Sequence, residues 1–289
     1  MNAAHPYDLP DEVLERFLQE DCPYGDLTTT LLEIGPRRGR MTFTTRHETV
    51  VCCTEEAGRL LDRLGCDVTV LEPSGTLLPA GQTMLAVQGE AGRLHVGWKT
   101  ALNLLEAASG IATRTHALIQ SARVANPIVE VVATRKIFPG TKAVAIKAVY
   151  AGGGLPHRLG LSESVLVFAQ HTAFLKGENE LWERLPELRQ RAREKKIGIE
   201  VTDQNAAFAA ARAGADIIQI DKLGPDDLQS LVLRLREVAP KAVIAAAGGI
   251  NLDNVGDYAA TGVDLLVTSA MYWGKPADIG VTMEATSSS

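Results

Sequence analysis

The 289-residue sequence predicts an α/β protein: a βα barrel preceded by a smaller α/β unit. From about residue 128 onward, short β-branched runs alternate with helical patterns, which indicates βα units and a parallel sheet. Two junctions in that half are near copies, Ala213-Gly214-Ala215-Asp216 and Thr261-Gly262-Val263-Asp264. In each, a glycine suits the left-handed position that ends a helix before the next strand. Residues 1 to about 97 follow a different, less regular order.

In chain order, Asp11 to Gln19 reads as a helix, Arg40 to Thr45 and Thr83 to Val87 as strands, and Glu55 to Leu64 as a helix between them. Pro73-Ser74-Gly75 and Pro79-Ala80-Gly81 are turn signals. The barrel series opens with a helix over Trp98 to Gln120. Its strands are Ile128 to Ala133, Val165 to Ala169, Ile197 to Val201, Asp216 to Ile220, Ala242 to Ala246 and Asp264 to Thr268. Helices over Thr141 to Tyr150, Asp203 to Ala213, Asp226 to Val238 and Leu252 to Thr261 lie between them. Asp278 to Met283 is expected to return to the first unit as a strand, and Ser287-Ser288-Ser289 to be a frayed tail.

With 46% hydrophobic residues the chain can bury a large core, and its length suits two unequal domains. A formal charge of −6 argues against a nucleic-acid surface, which needs clustered basic excess. The densest basic run, Arg189 to Lys196, reads as the cationic end of a helix. No stretch approaches the roughly 20 apolar residues of a membrane span, and MNAAHPYDLPDE lacks the basic start and apolar run of an export signal. Cys22, Cys52, Cys53 and Cys66 form no metal-like CxxC pair, so reduced thiols and a cytoplasmic location are expected.

Barrel chemistry sits on loops that leave the C-terminal ends of strands. Those ends supply Thr134-Arg135-Lys136, Gln170-His171, Glu200, Asp221, Ala247-Gly248-Gly249 and Ser269, with His157-Arg158 after the triple glycine 152–154. Arg offers a planar fork of donors, Lys a compact charge, and glycine a close backbone approach, a combination suited to phosphate. Gly248-Gly249 precedes a helix that Asn251 could cap, whose free N–H groups would suit a phosphate; the other reading is a tight turn. Glu200 and Asp221 could share a sugar or a magnesium ion, or serve as caps or surface charges. His157 could carry a proton, donate to phosphate, or simply bond within its loop. No Ser-His-Asp order, HExxH, Walker A or GxGxxG pattern is present, which leaves hydrolase, zinc-protease, P-loop and dinucleotide readings without support.

These residues resemble one family. Thr134-Arg135-Lys136 with Pro139-Gly140, GGGLPHRLGL (152–161), Glu200, Asp221, Gly248-Gly249, GDLTT (25–29) and TALNLLEAASGIAT (100–113) are similar to the nicotinate-nucleotide pyrophosphorylases, also called quinolinate phosphoribosyltransferases. Within that family the chain resembles the ModD branch, associated with molybdate-transport operons. The resemblance implies an N-terminal α/β sandwich over residues 1–102, joined by 275–289, and an incomplete TIM-like α/β barrel over 103–274. It implies a cytoplasmic homodimer whose active sites borrow a basic residue from the neighbouring subunit. It also implies phosphoribosyl transfer from phosphoribosyl pyrophosphate, with Mg2+, to a nitrogen heterocycle, with release of pyrophosphate. Carried over by position, Lys136, Glu200 and Asp221 would be catalytic, and Lys99, Thr134, Arg135, His157, Arg158 and Phe168 would meet the substrates. Gly248, Gly249 and Ser269 would hold the 5′-phosphate, and Glu200 and Asp221 the magnesium.

The departures from the family concern the acid substrate. Trp98-Lys99 stands where the quinolinate enzymes have Glu-Arg, Phe168 replaces a lysine, Ala247 replaces a serine, and Ser269 replaces a glycine. Loss of a cation beside a dicarboxylate favours an acceptor other than quinolinate. Quinolinate itself, or a non-catalytic protein that binds a nucleotide or an oxyanion, are the alternatives.

Overall fold

The computed structural model describes residues 7–286; the Ser287-Ser288-Ser289 tail lies outside them. The chain divides into two compact units. The first holds the described residues up to His116, Phe138–Gly153 and those from Tyr272 onward, and the second holds Ala117–Ile137 and Gly154–Met271.

In the first unit four antiparallel strands lie in the order Ile279–Ala285, Arg38–Thr45, Thr83–Glu90 and Asp67–Leu71. Alternation decides which face is buried: Met41 and Phe43 point into the core while Arg38 and Arg40 face solvent. Met41 and Phe43 join Leu85, Leu60 and Leu61 of the helix Thr54–Arg63, and Leu105 of the helix Ala91–Ala125. Sheet and helices thus form the two layers of an α/β sandwich. The C-terminal strand does return, with Met283 opposite Met41. Asp26 of the GDLTT stretch caps the short helix Leu27–Leu31 by accepting from the Thr28 and Thr29 N–H groups.

The helix Lys142–Ala151 belongs to this unit, although the order of elements along the chain places it within the barrel series. Its Lys147 is buried and bonds Asp8 at 2.7 Å, Glu55 at 3.3 Å and Glu56 at 2.7 and 2.8 Å. Glu56, fully buried, also accepts the Leu9 N–H at 3.1 Å. Burial alone would lower the ammonium's pKa, but hydrogen bonds to Asp8 and Glu56 and the charges of Glu56 and Glu55 outweigh it, so Lys147 is held above the ordinary lysine range. One cation thereby ties the N-terminal segment and two helices together.

The second unit is an open sheet of seven parallel strands. Their order is Leu155–Pro156, Glu130–Ala133, Leu265–Thr268, Val243–Ala247, Ile217–Asp221, Ile197–Val201 and Val165–Val167. That order is an incomplete α/β barrel, with consecutive strands side by side along most of its length. The outward row Val201, Ile220, Ala246, Leu266 and Val131 is buried. On the inward face Val132, Ala245, Ala247 and Val267 pack together with Ile217 and Leu265.

The two near-identical junctions do the same structural work. Gly214 (φ +85°) and Gly262 (φ +83°) end their helices left-handed, and the aspartate two residues later reaches back to the neighbouring strand. Asp216 accepts the Ile197 N–H at 2.9 Å and pairs with Arg189, while Asp264 accepts the Ile244 N–H at 2.7 Å and pairs with Arg236 at 2.7 Å. Each aspartate sets where a strand starts, and so sets the register of the sheet. The helix that supplies Arg189, Glu178–Arg191, carries an internal Pro186, a signal that obscures it in the sequence.

Replacing Lys147 by methionine is expected to lower unfolding free energy in urea by about 3–5 kcal/mol, because buried Glu56 loses its cation. A loss below about 1 kcal/mol would contradict a buried, ion-paired Lys147.

Candidate active site

Strand register puts most of the anticipated residues on one face of the seven-stranded sheet. Glu200 pairs in register with Gln219, and Gln219 with Ala245; two residues on, Asp221 pairs with Ala247, Ala247 with Val267, and Val267 with Val132. Side chains of paired residues share a face, and so do those two apart. Phe168 follows Leu166 by two, Thr134 follows Val132, Ser269 follows Val267, and Gly249 follows Ala247. Glu200, Asp221, Phe168, Thr134 and Ser269 therefore converge at the C-terminal end of the inward face, above the apolar Val132, Ala245, Ala247 and Val267.

Contacts between side chains agree with this register. Thr134 Oγ1 and Ser269 Oγ are 2.7 Å apart, and Thr134 Oγ1 also accepts the Lys136 N–H at 3.1 Å. His157 donates its backbone N–H to Ala133 at 2.9 Å, which extends the ladder one residue past Leu155–Pro156. Gly248 takes φ +92°, and a Cβ there would lie 2.6 Å from Asp221 Oδ1 and 2.5 Å from Lys222 Cγ. Only glycine lets the 248–249 turn pass so close to Asp221. Asn251 and Asn254 donate side-chain N–H groups to the Gly249 carbonyl at 3.3 and 3.1 Å, and Thr268 donates to the Ile250 carbonyl at 2.6 Å, so the turn is pinned.

The cations do not all lie alike. Arg135 and Lys136 are exposed, whereas Arg158 is buried, donates Nη1–H to the Ser164 carbonyl at 3.2 Å, and sits 5.9 Å from the centre of the Phe168 ring. Burial, then the charge of Arg135, pulls the Arg158 pKa below the ordinary arginine value. Two like charges that disfavour each other are a preformed place for an anion. Phe168 also stacks on His171, ring centres 5.8 Å apart, and the Phe168 N–H bonds the His171 ring nitrogen Nδ1 at 3.0 Å. The face that holds Arg158 is thus aromatic.

Glu200 leans the other way. Burial first, then the Asp221 charge, raises its pKa, opposed by the Gln219 hydrogen bond at 2.6 Å and by Lys136 and Lys222. A carboxylate held beside a second one gains from a cation shared between them. Magnesium ordinarily binds through one or two carboxylates plus substrate phosphates, so Glu200 and Asp221 fit such an ion. Among the described residues no group of three or more His, Cys, Asp or Glu side chains is placed to hold a metal.

Several expectations change. The helix after Gly248-Gly249 starts only at Val255: Asn251 Oδ1 accepts the Asp253 N–H at 2.9 Å within the 251–254 turn that precedes it, while Asn251 Nδ2 donates to the Gly249 carbonyl. Of the triple glycine, Gly152 is explained by packing, because a Cβ there would lie 2.4 Å from the Ala112 carbonyl oxygen. Lys99 lies in the first unit, exposed, with Nζ 5.2 Å from the Trp98 ring centre. Two residues escaped the sequence reading. Lys222, beside Asp221, takes φ +60°, rare for a lysine, and Gln219 is buried beneath Glu200. Dihedral and register place them, and neither has a sequence signature.

His157 is partly buried, and its Nε2 is buried without a hydrogen-bond partner. Burial, then the Arg158 charge, lowers its pKa, with Glu163 opposing. The folded state therefore holds His157 neutral where the unfolded chain would protonate it, so its contribution to stability falls as pH drops below about 6.5. Urea unfolding at neutral and mildly acidic pH is expected to show a smaller acid loss for His157→Gln than for the unchanged chain. Equal pH slopes would contradict a buried, neutral His157.

With this geometry in place, known proteins can be compared. Residues 26–109 match the quinolinate phosphoribosyl transferase N-terminal domain, and residues 111–282 its C-terminal domain. The chain is 40% identical over 248 residues to the Rhodobacter capsulatus protein named "Putative pyrophosphorylase ModD", covering 85% of this chain and 94% of that one. The protein of the same name from Escherichia coli O157:H7 is 36% identical over 275 residues, covering 95% and 97%. The nicotinate-nucleotide pyrophosphorylase structure from Francisella tularensis superposes with a TM-score of 0.88 at 24% identity, covering 98% of this chain and 100% of that one.

Proposed function

The chain belongs to the quinolinate phosphoribosyltransferase family, and from that premise we propose that it transfers phosphoribose from phosphoribosyl pyrophosphate to a nitrogen heterocycle other than quinolinate, releasing pyrophosphate. One observation carries the choice of acceptor: Phe168 stands over Arg158 where the resemblance expects a second cation. The phosphoribosyl side of the site supports the reading because Glu200, Asp221, Thr134 and Ser269 share one face beside the pinned Gly248-Gly249 turn.

In this reading Gly248, Gly249 and Ser269 receive the 5′-phosphate, with Thr134 fixing the Ser269 hydroxyl. Glu200 and Asp221 face the ribose, where carboxylates stabilise the positive charge that develops as the bond to pyrophosphate breaks. Arg135, Lys136, His157 and Arg158 take the negative charge of the leaving pyrophosphate and of the acceptor. Magnesium, held by Glu200, Asp221 and the substrate, would neutralise phosphate charge. The acceptor's ring nitrogen then meets the anomeric carbon beside the Phe168 ring, which suits a flat aromatic acceptor.

We also propose a homodimer in the cytoplasm. Tyr24, Leu27, Leu31 and Leu32 are exposed apolar side chains in one short segment, the kind of surface that association covers. In this reading Lys99, exposed in the first unit, is the basic residue lent to the neighbouring subunit's site. The four unpaired cysteines suit a reducing compartment.

With phosphoribosyl pyrophosphate and magnesium, pyrophosphate release is expected with at least one heterocycle of a broad panel, and Lys136→Ala is expected to lower kcat/KM by roughly 10²–10³. Absence of turnover across the panel would contradict the reading. Phe168→Lys is expected to raise quinolinate-dependent turnover relative to the unchanged chain; no gain, in a folded variant, would show that Phe168 does not set the acceptor.

A further inference from the structure

Gln219 is the odd member of the inward face. Its side chain is 4% exposed, it pairs in register with Glu200 on one side and Ala245 on the other, and Ile217 and Leu265 belong to the apolar cluster beneath it. Its Nε2–H donates to Glu200 Oε2 at 2.6 Å, while its Oε1 is buried and has no hydrogen-bond partner. Buried carbonyl oxygens are seldom left so, and a leucine or methionine would fill the same space without an orphaned acceptor. The amide therefore suits something that arrives from outside the chain.

The neighbouring groups say what that is. An ionised Glu200, the Asp221 carboxylate and the Gln219 carbonyl can only accept. Lys222 Nζ, 3.9 Å from Asp221 Oδ2, is too far to donate to it, and its side chain is largely exposed. Acceptors that outnumber the donors beside them match a ligand that brings several O–H groups, such as the adjacent hydroxyls of a sugar. A hydrated divalent cation brings O–H donors too, but its charge draws it to the two carboxylates and gives a neutral amide no special part.

We infer that Gln219 is a positioning residue that holds Glu200 through its amide N–H and accepts, through Oε1, a hydrogen bond from a hydroxyl of the bound pentose. This rests on the phosphoribosyl reading of the site, and it assigns the amide a role in distinguishing ribose from deoxyribose.

Calorimetry with ribose 5-phosphate, 2-deoxyribose 5-phosphate and Mg2+ alone tests it on the full chain and on Gln219→Met, with Gln219→Leu as a second variant should the first fold poorly. The unchanged chain is expected to prefer ribose 5-phosphate, and the variants to bind it about tenfold more weakly and to lose most of that preference. The acid limb of kcat/KM for pyrophosphate release should also move to higher pH in the variants, because Glu200 loses a donor that favours its ionised form. Unchanged sugar affinities and an unchanged pH profile in a folded variant would overturn the inference. So would a variant that alters only the binding of Mg2+. If the unchanged chain binds neither sugar phosphate, the phosphoribosyl reading falls first, and the role of Gln219 with it.

Discussion

The register of seven parallel strands is the constraint on which the candidate site depends. A slip of one residue in any of them would turn its inward side chain outward. The two aspartates that follow helix-ending glycines, Asp216 and Asp264, hold that register by accepting N–H groups at the starts of neighbouring strands, from Ile197 and Ile244, each braced by an arginine. Because Gln219 pairs with Glu200, and Asp221 with Ala247, acidic groups gather on the inward face and aliphatic ones beneath them. Small residues, Gly198, Ala245 and Ala247, keep that face open enough for polar side chains to converge.

Charge then completes what register begins. Burial and then the Arg135 charge depress Arg158, and burial and then the Asp221 charge raise Glu200, so Arg158 and Glu200 are each relieved by a ligand of opposite sign. A substrate with a phosphorylated sugar and a divalent ion satisfies both at once. Phe168 lies over Arg158 and stacks on His171, and in the proposed function it bears on the acceptor side alone. In the proposed function, donor and acceptor recognition are separable, because they rest on different strands and different kinds of interaction.

Much of this was legible in the sequence because it depends on local chemistry. Glycines that end helices and β-branched runs located six of the seven barrel strands to within two residues, as with Asp216 to Ile220 against the observed Ile217–Asp221, but not the short Leu155–Pro156. Residues at or just past those ends, Thr134, Glu200, Asp221 and Ser269, lie together on the inward face, as the strand order implied. What could not be read depends on pairing between distant strands. Gln219 looked like one polar residue in an apolar run, and only register shows it beneath Glu200. Arg158 gave no sign of being buried while Arg135 is exposed. Asn251 had the residue type of a helix cap, and its Oδ1 does accept the Asp253 N–H, but within a turn over 251–254, so that the helix itself starts at Val255.

In the proposed function the inward acceptors and the 248–249 turn together hold a phosphorylated pentose. A crystal structure of the chain with phosphoribosyl pyrophosphate and magnesium tests it most directly. The account predicts ribose hydroxyls against Glu200, Gln219 and Asp221, and the 5′-phosphate beside Gly248, Gly249 and Ser269. A ribose bound elsewhere, or Gln219 still without a partner in the complex, would contradict it.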